Sequence, residues 1–354
     1  MKKTLLLGFL LIPIFTVKAQ VLESENFNSL TIGNIGTDVT GATAGQGGYF
    51  TITSNGTAPT TATNSSASNF QIVSTGQSSS NGLKITTSNG NKGGRFMWKA
   101  GLSAAWAART TGNNIIQLEF DFFTGPASTS LTQNGITVYG LDGTTLRPLA
   151  GFAYVPNTKT LSGFAYLKNG AVYGNYLIGL GASAATPIVL QDNTWYRIGV
   201  AYNTTNGAIT WKGPGFDNVG IAAANYAGPF QPTEVDFSSG TPTTNTASSE
   251  QTYDNYVVTA TPAVNLLSID NFEIAKDTFS AYPNPSKGLV TISSDSDMNL
   301  QSVNVTDLNG RTVKSVKLDG SSSAQVNISD LSSGVYMMNI SSDQGSATKK
   351  IIKN

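Results

Sequence analysis

From about residue 83 to residue 259 the chain is written in short runs in which apolar and polar side chains alternate one for one, with Gly, Asn, Asp or Pro between most of them. Successive side chains on an extended strand point to opposite faces, so this period makes one face apolar and the other polar. Such a chain hides its apolar faces only by stacking one sheet on another, which restricts it to sandwiches and barrels. The runs lie at residues 83–86, 95–99, 115–123, 136–139, 149–155, 161–167, 172–180, 195–202, 209–212, 233–237 and 253–259. Two weaker ones, 49–52 and 70–73, sit in the Ser/Thr/Asn/Gly-rich stretch 41–82, and no segment sustains a helical period. Parity assigns Ile116, Leu118, Phe120 and Phe122 to the core. It gives a second inward file of Tyr196, Ile198, Val200 and Tyr202, with Trp195 and Arg197 facing the other way. Gly151-Phe152-Ala153-Tyr154 recurs as Gly163-Phe164-Ala165-Tyr166 across a Pro156-Asn157-Thr158-Lys159 turn, which reads as two adjacent strands of one hairpin. The expected fold is all-β: a two-sheet antiparallel jelly-roll sandwich over residues 20–260, a linker at 261–278, and a second, smaller Ig-like sandwich at 279–354.

Composition narrows the chemistry. Only 12% of the 354 residues are charged, 37 are Gly, and there is neither Cys nor His. Disulfides, thiol nucleophiles and imidazole-based triads or metal sites are therefore excluded, leaving carboxylates, hydroxyls, Tyr, Lys and Arg. Lys2 and Lys3 ahead of an apolar run to Val17, with Val17-Lys18-Ala19 behind it, read as a secretory leader over residues 1–19. That run is short of a membrane span, and no later segment is long and apolar enough to be one. The mature chain keeps a slight acidic excess, which gives no electrostatic reason to bind nucleic acid.

From residue 279 the texture changes to runs at 289–293, 302–306, 312–318, 324–328, 334–340 and 347–352, with Val303 and Val305, and Val326 and Ile328, expected inward. The motifs are Tyr282-Pro283-Asn284-Pro285 with Gly288, Asp307-Leu308-Asn309-Gly310 with Val313, Leu331 with Gly334-Val335-Tyr336, and Lys349-Lys350-Ile351-Ile352-Lys353. In this order and spacing they resemble the type A C-terminal sorting domain of the bacterial type IX secretion system. The resemblance implies export through the type IX translocon, removal of the tail by its processing peptidase, and release or attachment at the outer surface of the cell.

The cargo carries Leu118-Glu119-Phe120-Asp121-Phe122, Asn193-Thr194-Trp195-Tyr196-Arg197-Ile198 before a hairpin, and a closing Tyr253-Asp254-Asn255-Tyr256-Val257-Val258. This pattern resembles laminin-G-like and concanavalin-like jelly rolls. Many of these bind glycans or proteins, and some cleave glycans. Glu119 and Asp121 share a face at a spacing suited to a nucleophile and an assisting acid, as do Glu234 and Asp236. The glycosidases of that fold carry a further Glu shortly after the Asp, which is missing after Asp121, and an ordinary polar strand face accounts for both pairs. Trp195 with Arg197 and Trp106 with Arg109 are the candidate sugar-binding pairs, although most rings in a sandwich are packing groups. With oxygen ligands alone, the fitting metal is a structural calcium ion on Glu25, Asn26 and Asp254, should the first and last strands be neighbours. Turn hydrogen bonds explain such residues equally well. The favoured reading is a non-catalytic glycan-binding or adhesive protein, and the competing one is a carboxylate-dependent glycan hydrolase or lyase.

Overall fold

The computed structural model describes residues 18–55, 64–183, 186–267, 279–294, 299–307, 311–342 and 345–354. The expected leader, but for Lys18 and Ala19, and residues 268–278 of the expected linker lie outside them.

The cargo folds as a jelly-roll-type sandwich of two antiparallel sheets. The first runs Phe216–Gly220, Ile209–Gly213, Trp195–Asn203, Ile115–Phe123, Glu250–Thr261, Gly82–Thr86, Phe70–Val73 and Gly33–Asn34, with Gln20–Glu25 paired beside the second half of Glu250–Thr261. The second runs Val172–Gly179, Thr160–Asn169, Thr145–Val155, Gln133–Asp142, Gln231–Gly240, Gly94–Lys99 and Tyr49–Ser54, and Ile188–Val189 adds to Thr160–Asn169. The first and last strands of the cargo are thus neighbours, which is the condition the calcium reading set.

The core is the seam between the sheets. Ile116, Leu118, Phe120 and Phe122 are at most 2% exposed, and Ile198, Val200 and Tyr202 at most 3%. Phe120 meets Phe152 edge-on at 5.8 Å, and Phe122 meets Tyr154 at 5.1 Å. Phe237 reaches Tyr253 and Tyr256 at 5.2 and 5.4 Å. Trp211 is wholly buried and donates its Nε1–H to the Gly151 carbonyl at 2.9 Å. A Cβ on Gly163 would stand 2.7 Å from its ring. Gly163→Ala is therefore expected to displace the indole and cost about 1–3 kcal/mol, read as a lower denaturant midpoint at unchanged slope.

One short helix, Leu102–Ala107, interrupts the β pattern. It buries Leu102 and Trp106 and lacks a side-chain cap, so packing rather than local signals holds it. The repeated Gly-Phe-Ala-Tyr segments do pair, but Phe152 is opposite Gly163 and Gly151 opposite Phe164. Paired residues share a face, so the two copies present opposite faces: Phe152 is 3% exposed, while Phe164 points away from the core.

The C-terminal residues form a second sandwich. Phe279–Tyr282, Leu289–Ser294 and Ser323–Asn327 make one sheet, and Thr312–Lys317, Leu300–Thr306, Gly334–Ser342 and Gly345–Lys353 the other. Val303, Val305, Val326 and Ile328 are all fully buried in its own core, with Val290, Ile292, Met338 and Ile340.

Candidate functional site

On the outer face of the first sheet, Trp195 packs on Phe123 with ring centres 5.2 Å apart. Arg197 donates to the Asn255 carbonyl at 2.6 Å and lies 3.5 Å from Glu119 and 3.6 Å from Asp121. The strand Glu250–Thr261 bulges here: Asp254 faces Asp121 and Val257 faces Glu119, so two residues stand where the partner has one. Asn255 takes φ 45° and donates its Nδ2–H to Asp121 at 2.8 Å. Glu119 also accepts the Leu267 N–H at 3.0 Å, and Gln117 exchanges hydrogen bonds with Asn265 at 2.6 and 2.8 Å. The chain leaving the last cargo strand is thus strapped across the outside of the sheet, with Leu266 2% exposed against Ile115 and Ala201. The Glu119 and Asp121 carboxylates are held by Arg197, Asn255 and this strap.

The other expected pair is engaged locally. Trp106 is 3% exposed and donates Nε1–H to Gln231 at 2.8 Å. The Arg109 guanidinium lies 3.9 Å from the centre of the Trp106 ring and bonds Asn113, Trp106 and Asn114 oxygens.

Glu25, Asn26 and Asp254 are each engaged in hydrogen bonds of their own. Glu25 accepts the Phe27 N–H and Asn26 the Asn28 N–H, both two residues along the chain. Asp254 is fully buried and accepts from Gln77 N at 2.8 Å, Ser80 Oγ at 2.7 Å and Asn255 N at 2.7 Å. Burial outweighs these bonds and pushes its carboxyl up to about 6. Among the described residues, no group of three or more acidic side chains is placed to hold a metal ion. On the first strand it is the Glu23 carboxyl that is buried. It accepts the Tyr256 hydroxyl, which stands 3.0 Å from the Tyr49 hydroxyl, and burial raises its carboxyl above the ordinary range.

The outer face of the second sheet carries a different arrangement. Register places Phe50, Trp98, Asp236, Thr137, Gly151, Phe164 and Leu177 in one row across the strands. Beside it run Phe96, Ser238 and Gly135, and on the other flank Glu234 lies opposite Tyr139. Small residues form the middle and aromatic rings the sides, leaving a trough of about 180 Å³ lined by Phe96, Gln133, Gly135, Tyr139, Ala153, Phe164 and Ser238, among others. Ring-bearing strands on its two sides are four steps apart, roughly 19 Å. Asp236 is 6% exposed, and its Oδ1 is sealed from solvent with no hydrogen-bond partner. Burial, reinforced by the neighbouring Glu234 charge, pushes the Asp236 carboxyl up to about 8, so it is mostly protonated at neutral pH. Glu234 is raised by burial alone, and burial together with the Asp236 and Glu234 charges raises Tyr139. The i,i+2 spacing of Glu234 and Asp236 was visible in the sequence. What escaped it was the pairing of this strand between Phe96/Trp98 and Tyr139.

In the tail, two motifs far apart in sequence meet. The Tyr282–Pro283 and Asn284–Pro285 bonds are both cis. Asn284 donates Nδ2–H to the Lys350 carbonyl at 2.7 Å and accepts the Ile352 N–H at 2.8 Å, clasping the final strand. Ser286 continues the contact by donating its N–H to Ile352 and accepting from Asn354. Gly288 accepts from Ile328 N and a Cβ there would stand 3.0 Å from Ser329. Gly334 pairs with Lys353, Lys349 and Lys350 pair with Met338 and Met337, and Tyr336 donates to the Ser332 carbonyl. Asp307 and Arg311 close a hairpin by backbone and side-chain bonds, while Asn309 and Gly310 lie outside the described residues.

Comparison with curated proteins finds no match to the sequence. Among solved structures the cargo is similar to a sialidase from Trypanosoma rangeli, at 15% identity and TM-score 0.34 over 55% of this chain and 27% of that one. This chain therefore spans about a quarter of the sialidase's length. It is also similar to β-agarase A from Zobellia galactanivorans, at 12% identity and TM-score 0.43 over 69% and 92%, and to alginate lyase A1-II′, at 10% and 0.35 over 54% and 82%. Residues 280–354 match the family described as the secretion system C-terminal sorting domain, so the tail is a type IX sorting domain and the protein carries an address for secretion or display at the cell surface.

Proposed function

We propose that the protein is delivered by the type IX translocon to the exterior of the outer membrane, and that its sandwich there holds a glycan without cleaving it. The tail is the part a processing peptidase would remove. The trough on the outer face of the second sheet is the binding site. The observation that carries this reading is its make-up: Phe96 and Phe164 stand across small residues from each other, with Ser238, Tyr139 and Glu234 between or beside them. Pyranose rings have apolar faces that lie against aromatic rings and hydroxyl rims that need polar partners, and the trough offers both.

The test is affinity electrophoresis of the mature protein through gels containing single polysaccharides. Phe96→Ala and Phe164→Ala are each expected to weaken retention about tenfold, or ~1.4 kcal/mol, while Trp195→Ala on the opposite sheet leaves it unchanged. Loss with Trp195→Ala and none with Phe96→Ala would move the ligand to the Arg197 face.

Asp236 favours the alternative of a glycan hydrolase or lyase in one respect, since a carboxyl kept protonated is what a general acid requires. Against it, the next outward residue after Asp236 is Ser238, where a third acid would be wanted. Release of reducing or unsaturated ends from the retained polysaccharide, abolished by Glu234→Gln, would establish cleavage.

A further inference from the structure

Resting on the reading of the trough as a glycan site, we infer that its ligand is an uncharged polysaccharide, and that uronate-bearing and sulfated chains are excluded from it. The argument is one of charge at defined positions. The outward side chains of the three strands that build the middle and one wall include Phe96 and Trp98, then Glu234, Asp236 and Ser238, then Gln133, Thr137 and Tyr139. These hold two carboxyls and no cation. Lysine 99, next to Trp98, faces the opposite way and lies over the Tyr49 ring. The two remaining strands of the trough do carry cations, but both are engaged: Arg147, opposite Gly140 beside Tyr139, is bound by Asp142 at 3.4 Å and covers the Tyr166 ring at 4.4 Å, and Lys168 lies over Tyr173.

An anionic chain entering the trough would surrender its water against Glu234 and gain no counter-charge, a loss that the aromatic walls do not offset. A neutral chain meets no such obstacle. Its hydroxyls can donate to the Glu234 carboxylate and exchange hydrogen bonds with Ser238 and Tyr139, while its ring faces cover Phe96 and Phe164. Nor is the trough built for a polycation, because Asp236 is walled off and neutral at ordinary pH, leaving a single half-buried carboxylate.

The experiment runs the mature protein through gels containing galactomannan, mixed-linkage β-glucan or agarose, and through gels of alginate, polygalacturonate or chitosan, at one ionic strength and pH 7. At least one neutral polysaccharide is expected to retain the protein ten times more strongly than any charged one, with retention lost in Phe96→Ala. Gln133→Lys, an exposed change on the trough's rim, is expected to create alginate retention while leaving the melting temperature unchanged. If alginate, polygalacturonate or chitosan retains the unmodified protein best and Phe96→Ala removes that retention, the trough still binds glycans but the inference about charge is overturned. If Gln133→Lys gains nothing toward alginate, charge is not what selects the ligand and the inference falls as well. If no polysaccharide retains the protein, the glycan-binding reading itself fails.

Discussion

Asp254→Ala is expected to lower the melting temperature by about 6–12 °C. The carboxyl is buried beneath the 76–81 loop and is the common acceptor for Gln77 N, Ser80 Oγ and Asn255 N. Removing it leaves the Gln77 and Asn255 N–H groups unpaired away from water and the Ser80 hydroxyl bonded to the Gln77 carbonyl, a loss of ~3 kcal/mol, and each kcal/mol moves the melting point of a domain this size by about 2–4 °C. The loop has no simple way to compensate. Gly76 is packed so closely that a Cβ would stand 2.3 Å from the Asn81 carbonyl and 2.7 Å from the Asp254 carboxyl. Asp254→Asn retains one acceptor and should lose about half as much. Thermal melts by circular dichroism measure both, and a shift under 2 °C for the alanine variant would mean the loop is anchored elsewhere.

Asp236→Asn acts in the opposite direction and shows itself through pH. The folded protein raises this carboxyl from 3.8 to about 8, so between those values the native state holds a proton that the unfolded chain releases. Stability contributed by that proton is complete below pH 4 and is lost as pH rises, at ~1.4 kcal/mol per unit, levelling off above pH 8. Asparagine keeps the shape and has nothing to ionise. The variant should therefore match the parent near pH 4 and exceed it by up to about 5 kcal/mol at pH 8. The groups that face Asp236 are Glu234 on its own strand, Trp98 on one neighbour, and Thr137 and Tyr139 on the other. Tyr139 does not titrate in this window, and burial raises Glu234 in both proteins. The difference between the two denaturation curves therefore isolates the aspartate. Parallel curves from pH 4 to 9 would show that the carboxyl is hydrated and ionised after all.

Much of the sandwich is legible in the sequence because its strands alternate without interruption. Parity alone picks out Ile116, Leu118, Phe120 and Phe122, and all four are buried. Parity fails where pairing decides the outcome. The two Gly-Phe-Ala-Tyr segments are identical in sequence, yet a hairpin register that sets Phe152 against Gly163 sends one phenylalanine into the core and the other to the trough. Leu102–Ala107 is too short to show a helical period, so Trp106 reads as an available ring when it is a buried wedge. The spacing of Glu119 and Asp121 correctly puts them on one face with Arg197. The hold of Asn255 on Asp121 depends on a bulge at φ 45° that nothing local announces. Likewise Glu234 and Asp236 read as an ordinary polar strand face, and only the strands on either side reveal that Asp236 is sealed off.

The clasp between Asn284 and the backbone of Lys350 and Ile352 has a bearing on what such an address can lose and still be read. The front of the tail grips a strand that lies 66 to 68 residues further along the chain. Removal of residues 350–354 would leave Asn284 and Ser286 with nothing to hold, and the stretch from Gly334 to Met337 without its outer neighbour. A label closed in this way needs both its ends, so trimming either one would leave the protein without a legible destination.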